Sequence, residues 1–385
     1  MGLTATDFSG TRFSVTYQFT EAATEARTRA ELLCIEQTVE ATDEIIPQGP
    51  IRDHLLGRMT QFRSLRDHLH EAVLTFPVEL LDESLESLWH VAYGIASLRE
   101  GVRITDMSLP EAALSRWSGA RFGVEGLRTL LNAPSRPLVC AVLKPLGMSP
   151  QQLGSLAYEF ALGGVDIIKD DQGLSNHPFC PFEERVSRCA DAVARAAKET
   201  GIRCLYAPHI GGSWPTLRAR ADHARRVGAG ALLVCPGITG FDQMAELAKQ
   251  TGAPLPILSH PAALGSYFAP QDSGIAPDVL FGLLPRLAGA DVTIYPTFGL
   301  TYPISMADCQ RIAATCRRPM GRILSILPSA AGRMGPARIT EMSACYGQDV
   351  VYVWVAKFAP IGQGRSSLPV DFFPTTVGDL KTPDY

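Results

Sequence analysis

Charge is scarce in this chain, and neither sign is in large excess. Of its 385 residues 19% are Asp, Glu, Lys or Arg, and the formal net charge is −4. That balance argues against nucleic acid as the main partner. No apolar run approaches the roughly 20 residues of a membrane helix, so no membrane partner is expected. Met1 to Gly10 lacks the basic and apolar segments of a secretory signal, and a cytoplasmic location is expected. The nine cysteines are odd in number and include no C-x-x-C. They read as buried thiols in a reducing compartment, not as a disulfide framework. Low-complexity tracts and heptads are missing too. What remains is a chain that is 46% hydrophobic, enough for a large core. Its length allows two domains or one barrel with additions.

Arg12 to Thr20 alternates apolar and polar residues and predicts a strand. Glu21 to Glu36, rich in Ala, Glu, Arg and Leu, predicts a helix. Strands follow at Arg58 to Leu65 and His70 to Val78, then a helix at Leu85 to Leu98 and a strand at Val102 to Met107. Strand, helix, two strands, helix, strand is the order of a ferredoxin-like α+β domain. A short helix is expected at Val124 to Leu131, and Pro134 and Pro137 mark a boundary. The first domain is therefore expected over residues 1–133.

From Leu138 the pattern repeats. Apolar strands are expected at 138–143, 165–168, 203–207, 231–235, 255–259, 291–295, 322–327 and 350–354, with helical stretches such as Pro150 to Leu162 between them. Eight strands in βα alternation predict an α/β fold, a (β/α)8 TIM barrel over residues 134–385. A doubly wound sheet would want G-x-G-x-x-G after its first strand, where this chain has Lys144-Pro145-Leu146-Gly147. The run from Trp354 to Tyr385 shows no clear closing helix.

The most informative stretch is GGVDIIKDDQ, residues 163–172. Val165 to Ile168 has the composition of a buried strand, and it ends in a lysine and two aspartates. Charges at such an exit are costly unless they pair, bind metal or do chemistry. A solvated loop with helix-capping aspartates is the plainer alternative. Barrel chemistry gathers at C-terminal strand ends. Those ends carry Lys144, then Lys169, Asp170 and Asp171, then His209, Cys235, His260, Tyr295, Pro328-Ser329 and Lys357. These residue types suit proton abstraction beside a carbonyl. A lysine among apolar neighbours can act as base. Carboxylates hold a divalent cation against an enediolate. Histidines orient substrate or relay protons.

Several of these motifs are specific together. Lys144-Pro145 with Gly147, GGVDIIKDDQGL with Pro178-Phe179, and Ser259-His260-Pro261 resemble the large subunit of ribulose-1,5-bisphosphate carboxylase. The likeness is closer to the RuBisCO-like proteins, which do not fix CO2. RFGVEGLR (Arg121 to Arg128) and CIEQTVE (Cys34 to Glu40) fit the same group. The resemblance implies a homodimer whose active sites lie between subunits, the barrel of one meeting Glu36, Gln37 and Thr38 of the other. It implies that Lys144 is a catalytic lysine and that Lys169 is converted by CO2 to a carbamate. Asp171 would then be a Mg2+ ligand and His260 a substrate contact. His209, Gly332 and Lys357 are further candidates for substrate binding.

The departures bear on function. Gln172 stands where the family has a metal-binding Glu, so Mg2+ should bind more weakly through Lys169, Asp171 and Gln172. Ile95 replaces an active-site Asn or Lys, Pro261 an Arg, and Tyr295 a His. No mobile-loop lysine is evident in Thr297-Phe298-Gly299-Leu300. The phosphate-binding glycine pairs read Ala330-Ala331-Gly332 and Val355-Ala356-Lys357, which disfavours a bisphosphate. A single phosphate could be held by Lys357, Arg333 or Arg365. The leading expectation is Mg2+-dependent enolisation or isomerisation of a small ketose, such as 5-methylthioribulose 1-phosphate. Decarboxylation or cleavage of a 3-oxo sugar acid is a second reading, and a binding protein that has lost its metal is a third.

Overall fold

The computed structural model describes residues 4–250, 254–332 and 338–354. Strand β1 (Arg12–Phe19) buries every second residue, placing Phe13, Val15, Tyr17 and Phe19 in the core. Helix α1 (Ala23–Glu36) follows, then β2 (Arg58–Arg66) and β3 (Leu69–Pro77). Helix α2 (Leu85–Tyr93) starts at Ser84, whose hydroxyl accepts the Glu86 N–H. It stops earlier than expected, at Gly94, and Ile95–Leu98 forms a separate 3-10 turn. Strand β4 (Val102–Ser108) completes a sheet of order β4-β1-β3-β2, with β1, β2 and β3 pairing as antiparallel neighbours. That is the βαββαβ arrangement expected. Ala26, Ala30 and Leu33 of α1 and Leu88 and Ala92 of α2 join the same core as β1.

Helices α3 (Glu111–Leu114) and α4 (Gly123–Leu131) lead into the second sheet. Its first part runs β5 (Leu138–Leu143), α5 (Pro150–Leu162), β6 (Ile167–Asp170), α6 (Phe182–Thr200), β7 (Leu205–Ala207) and α7 (Trp214–Arg226). It continues through β8 (Leu232–Val234), α8 (Pro236–Thr239), α9 (Phe241–Lys249), β9 (Ile257–Ser259) and α10 (Gly265–Phe268). A two-residue strand, β10 (Gly274–Ile275), leaves this unit to pair in parallel with β4. Then come α11 (Leu284–Leu287), β11 (Val292–Pro296), α12 (Met306–Arg317), β12 (Leu327–Ala331), α13 (Ile339–Tyr346) and β13 (Val351–Trp354). All neighbours in this sheet are parallel, and β13 pairs with β5. Between β7 and β8 the ring closes through a His209–Leu233 bridge, with Leu233 N–H donating to Pro208 O at 2.9 Å.

Strand alternation decides what faces the centre. Cys140 and Val142 of β5, Ile167, Ala207, Leu233, Leu258, Ile294, Leu327 and Val353 form one apolar cluster, the barrel interior. Val124, Leu127 and Leu131 of α4 belong to that cluster, so α4 plugs the N-terminal end. Two aspartates brace this floor. Asp291 accepts the N–H groups of Phe122, Gly123 and Ile257 at 2.8 to 2.9 Å. Asp166 accepts the Val139 N–H and a two-pronged contact from Arg136. The C-terminal strand ends lie at the opposite end from this floor.

Two strands differ most from expectation. The second barrel strand is Ile167–Asp170, not 165–168, so Lys169 and Asp170 lie within it. The seventh barrel strand is Leu327–Ala331, not 322–327. The apolar residues Ile323 and Leu324 attract a strand assignment, but their carbonyls accept from the buried Arg286 guanidinium, which holds them as a turn. Ser329 therefore lies inside β12 instead of beyond it. It is fully buried, and its Oγ has no partner among the described residues.

Candidate active site at the barrel mouth

The exit of β6 separates two neighbouring aspartates by parity. Lys169 and Asp171 follow Ile167 on the inward side, while Asp170 turns outward. Asp170 is fully buried and accepts from Arg185 Nε at 3.1 Å, Tyr206 OH at 2.8 Å and the His209 N–H at 3.0 Å. It is an anchor that ties β6 to α6 and to the loop after β7.

Asp171 stays at the mouth. Lys144 Nζ, beyond the end of β5, meets its Oδ2 at 2.8 Å. Its Oδ1 accepts the Gly173 N–H at 2.9 Å. Partial burial disfavours its charge, but Lys144 and Gly173 outweigh that and hold the carboxyl below its ordinary range. Lys169 is 3% exposed, and its Nζ donates to the Asp170 carbonyl at 3.1 Å. Burial, with Lys144 adding to it, lowers its proton affinity against the pull of Cys140 and the aspartates. An amine with a weakened hold on its proton gives up that proton more readily, and the neutral amine is the nucleophile.

His209 and His260 stand beyond β7 and β9. His209 Nδ1 faces the Leu174 carbonyl at 3.1 Å, so Nδ1 carries its proton. His260 Nδ1 accepts the Ala262 N–H at 3.2 Å, so in the neutral ring Nε2 carries the proton. Desolvation lowers both, and Lys169 adds to the effect at His260, which is pushed down to about 3. Unfolding returns each to about 6.5, and below that pH the unfolded chain takes up protons that the folded chain refuses. Stability should therefore fall as pH drops below about 6.5, through His260 by up to about 1.4 kcal/mol per pH unit down to about 3, with His209 acting in the same direction. Urea denaturation at pH 7 and pH 5 checks this; an unmoved midpoint is the contrary result.

The remaining candidates lie elsewhere. Gln172 is exposed in the turn after Asp171. Gly332 follows β12 at φ 103°, where a Cβ would strike Leu300. Glu36 at the end of α1 is paired with Arg99 at 2.5 Å. Thr38 Oγ1 donates back to the Cys34 carbonyl. Gln37 is 3% exposed, and its amide bonds Val91 O and the Ala96 N–H, fixing the Ile95 turn. Tyr295 is likewise not at the mouth. It lies within β11 and faces the outer layer, packing on Phe281 and Tyr346. Lys357, Arg333 and Arg365 lie outside the described residues.

Among the described residues no three His, Cys, Asp or Glu side chains gather as a metal site. The unmodified set offers one inward carboxylate, Asp171, already paired with Lys144. By itself that set does not suit Mg2+, which prefers several hard oxygen ligands. No helix among the described residues is long and apolar enough to cross a membrane.

Comparison with known proteins agrees with this fold. The family model for the ribulose bisphosphate carboxylase large chain, catalytic domain, matches residues 123–353. Ribulose bisphosphate carboxylase-like protein 1 of Rhodopseudomonas palustris is 36% identical over 88% of this chain and 90% of its own. The 5-methylthioribulose-1-phosphate isomerase of Rhodospirillum rubrum is 32% identical over 88% of this chain and 89% of its own. The crystal structure of a Rubisco-like protein from Rhodopseudomonas palustris superposes with a TM-score of 0.82 at 34% identity, covering 89% of this chain and 94% of that one.

Proposed function

The chain belongs to the ribulose bisphosphate carboxylase large-chain family as a RuBisCO-like protein, and we propose that it is an isomerase that enolises a small ketose without fixing CO2. The observation that carries this reading is the Lys144–Asp171 pair beside the buried amine of Lys169. Proton abstraction beside a carbonyl needs a base at the reacting carbon and positive character at the developing oxyanion. Lys144 is the base. In its ion pair with Asp171 the nitrogen holds the extra proton and has no free lone pair, so a change at Asp171 must release it. His260, neutral and protonated at Nε2, is a donor for the substrate oxygen.

The likeness to a 5-methylthioribulose-1-phosphate isomerase supports a thio-sugar monophosphate as substrate. Mg2+ would be held by Asp171 and by Lys169 converted to a carbamate, with Gln172 as a neutral and weaker third ligand. Carbamylation replaces an amine by an anionic oxygen ligand on the same side of the strand as Asp171, and that set fits a hard cation. When bound, the ion would supply electrostatic stabilisation of the enediolate. We further propose a homodimer in which Glu36 and Thr38 approach the partner's barrel mouth, a cytoplasmic location, and a domain division near residue 133.

Two measurements test the reading. Calorimetry should detect Mg2+ binding that requires bicarbonate and is lost in Lys169→Ala. If neither protein binds Mg2+ at millimolar concentration, the metal-dependent reading is wrong. In D2O, NMR should show solvent deuterium entering 5-methylthioribulose 1-phosphate beside its carbonyl. Lys144→Met should slow that exchange by roughly 10²- to 10⁴-fold.

A further inference from the structure

One pair of side chains at the mouth has no part in the scheme above. Cys235 follows β8 on the inward side, next after Leu233 in the strand alternation. Its Sγ lies 3.5 Å from His209 Nε2. Because His209 carries its proton on Nδ1, facing the Leu174 carbonyl, Nε2 is the acceptor and the thiol the donor. Leu174 closes the turn that begins at Asp171, its N–H donating to the Asp171 carbonyl at 3.0 Å. A thiol, an imidazole and the carbonyl that orients it are thus fixed to the same turn as Asp171. In the barrel order β8 stands three strands from β5, so the pair, with Cys235 buried, stands on a different wall of the barrel than Lys144.

We propose that Cys235 and His209 form a hydroxyl-proton relay for the isomerisation proposed above, on which this inference rests. Lys144 breaks the C–H bond and leaves an enediolate with one charged oxygen and one hydroxyl. For the carbonyl to emerge at the other carbon, the hydroxyl proton must move to the neighbouring oxygen. Sγ takes that proton as its own passes to His209 Nε2. Nε2 then returns a proton to Sγ as Sγ delivers one to the other oxygen. One O–H bond breaks and one forms, both relay groups end as they began, and no co-reactant is needed.

The surroundings suit a proton carrier better than a nucleophile. Burial pushes the Cys235 thiol up to about 11, with Lys169 and Asp171 acting on it in opposite senses. Burial also keeps His209 neutral, near the charges of Asp170, Arg185 and Lys169. A thiolate–imidazolium pair is therefore disfavoured at rest, and a neutral S–H donor is retained.

The test separates C–H cleavage from completed isomerisation, with 5-methylthioribulose 1-phosphate as the probe. For Cys235→Ala, deuterium exchange into the recovered ketose should stay within about threefold of wild type. Formation of the isomer should fall at least 100-fold in Cys235→Ala and in His209→Asn, and the double variant should be no worse than either single one, as for groups that act as a unit. Cys235→Ser, which keeps an exchangeable proton, should restore at least tenfold of the loss. Exchange and isomerisation falling together in Cys235→Ala, or neither falling, overturns the relay and leaves the isomerase reading intact. Absence of both in the wild type removes that reading and the relay with it. Independently of any substrate, 15N NMR should find neutral His209 protonated on Nδ1; protonation on Nε2 overturns the relay.

Discussion

Asp170→Ala should lower the free energy of unfolding by about 3–5 kcal/mol, while Asp171→Ala beside it should change stability by less than about 1 kcal/mol. The two carboxylates differ in what their loss leaves behind. Asp170 and Arg185 are both fully buried, and Asp170 also receives Tyr206 OH and the His209 N–H. Removing it strands a guanidinium in the core, together with the buried Tyr206 hydroxyl and the His209 N–H. Asp171 pairs with a lysine whose side chain is 38% exposed, and water can replace that partner. Against a total of 5–15 kcal/mol for a typical domain, the first loss is a large fraction of the whole. Replacing both members, Asp170→Leu with Arg185→Met, should recover much of it, because no unpaired charge remains. Urea denaturation of the four proteins at constant pH decides the matter. Equal small effects from both single alanine variants would show that Arg185 finds another partner.

That contrast also shows how much of the site was legible in the sequence. Eight apolar segments at regular spacing carry enough information to place the barrel and to assign Lys144, Lys169, Asp171, His209 and His260 to one end. The separate roles of Asp170 and Asp171 follow from strand alternation, once the inward register of Ile167 is known. Residue type alone cannot supply that register, because neighbouring aspartates look alike until one of them meets Arg185. The seventh strand was misplaced for a related reason. Pro328 lacks an N–H and reads as a strand breaker, while Ile323 and Leu324 read as strand formers. Their carbonyls are held by Arg286, a residue 37 or more positions away in sequence. The surroundings of Gln37 depend on the same kind of distant contact. A glutamine at a helix end looks exposed until the Ile95 turn folds over it and claims its amide. The Cys235–His209 contact has a faint signal, two strand-exit residues of complementary chemistry. Its direction of donation depends on the Leu174 carbonyl, which only the folded loop brings near.

Lys169→Met should produce the opposite pair of effects, a fold at least as stable as wild type and no measurable isomerisation. Lys169 is 3% exposed, and burial is the largest influence lowering its proton affinity. Its ammonium form is costly where it sits, and a methionine of similar length fills the space without that cost. The variant should match wild type or exceed it by up to about 2 kcal/mol at neutral pH, within the range seen when buried charges give way to apolar groups. The sign of the pH dependence follows from the lowered proton affinity. In the unfolded wild type the lysine keeps its proton up to about 10.5, whereas the folded chain releases it earlier. Wild-type stability therefore climbs with pH in that window, and the advantage of Lys169→Met should shrink as pH rises toward 10.5. Function should move the other way, because methionine cannot form a carbamate and bicarbonate-dependent Mg2+ binding should vanish. A thousandfold or greater loss of isomer formation in a protein that melts no lower than wild type would assign Lys169 to chemistry. A variant that unfolds more easily yet keeps its activity would instead make Lys169 a structural amine, and the Lys144–Asp171 pair would have to act without a carbamate.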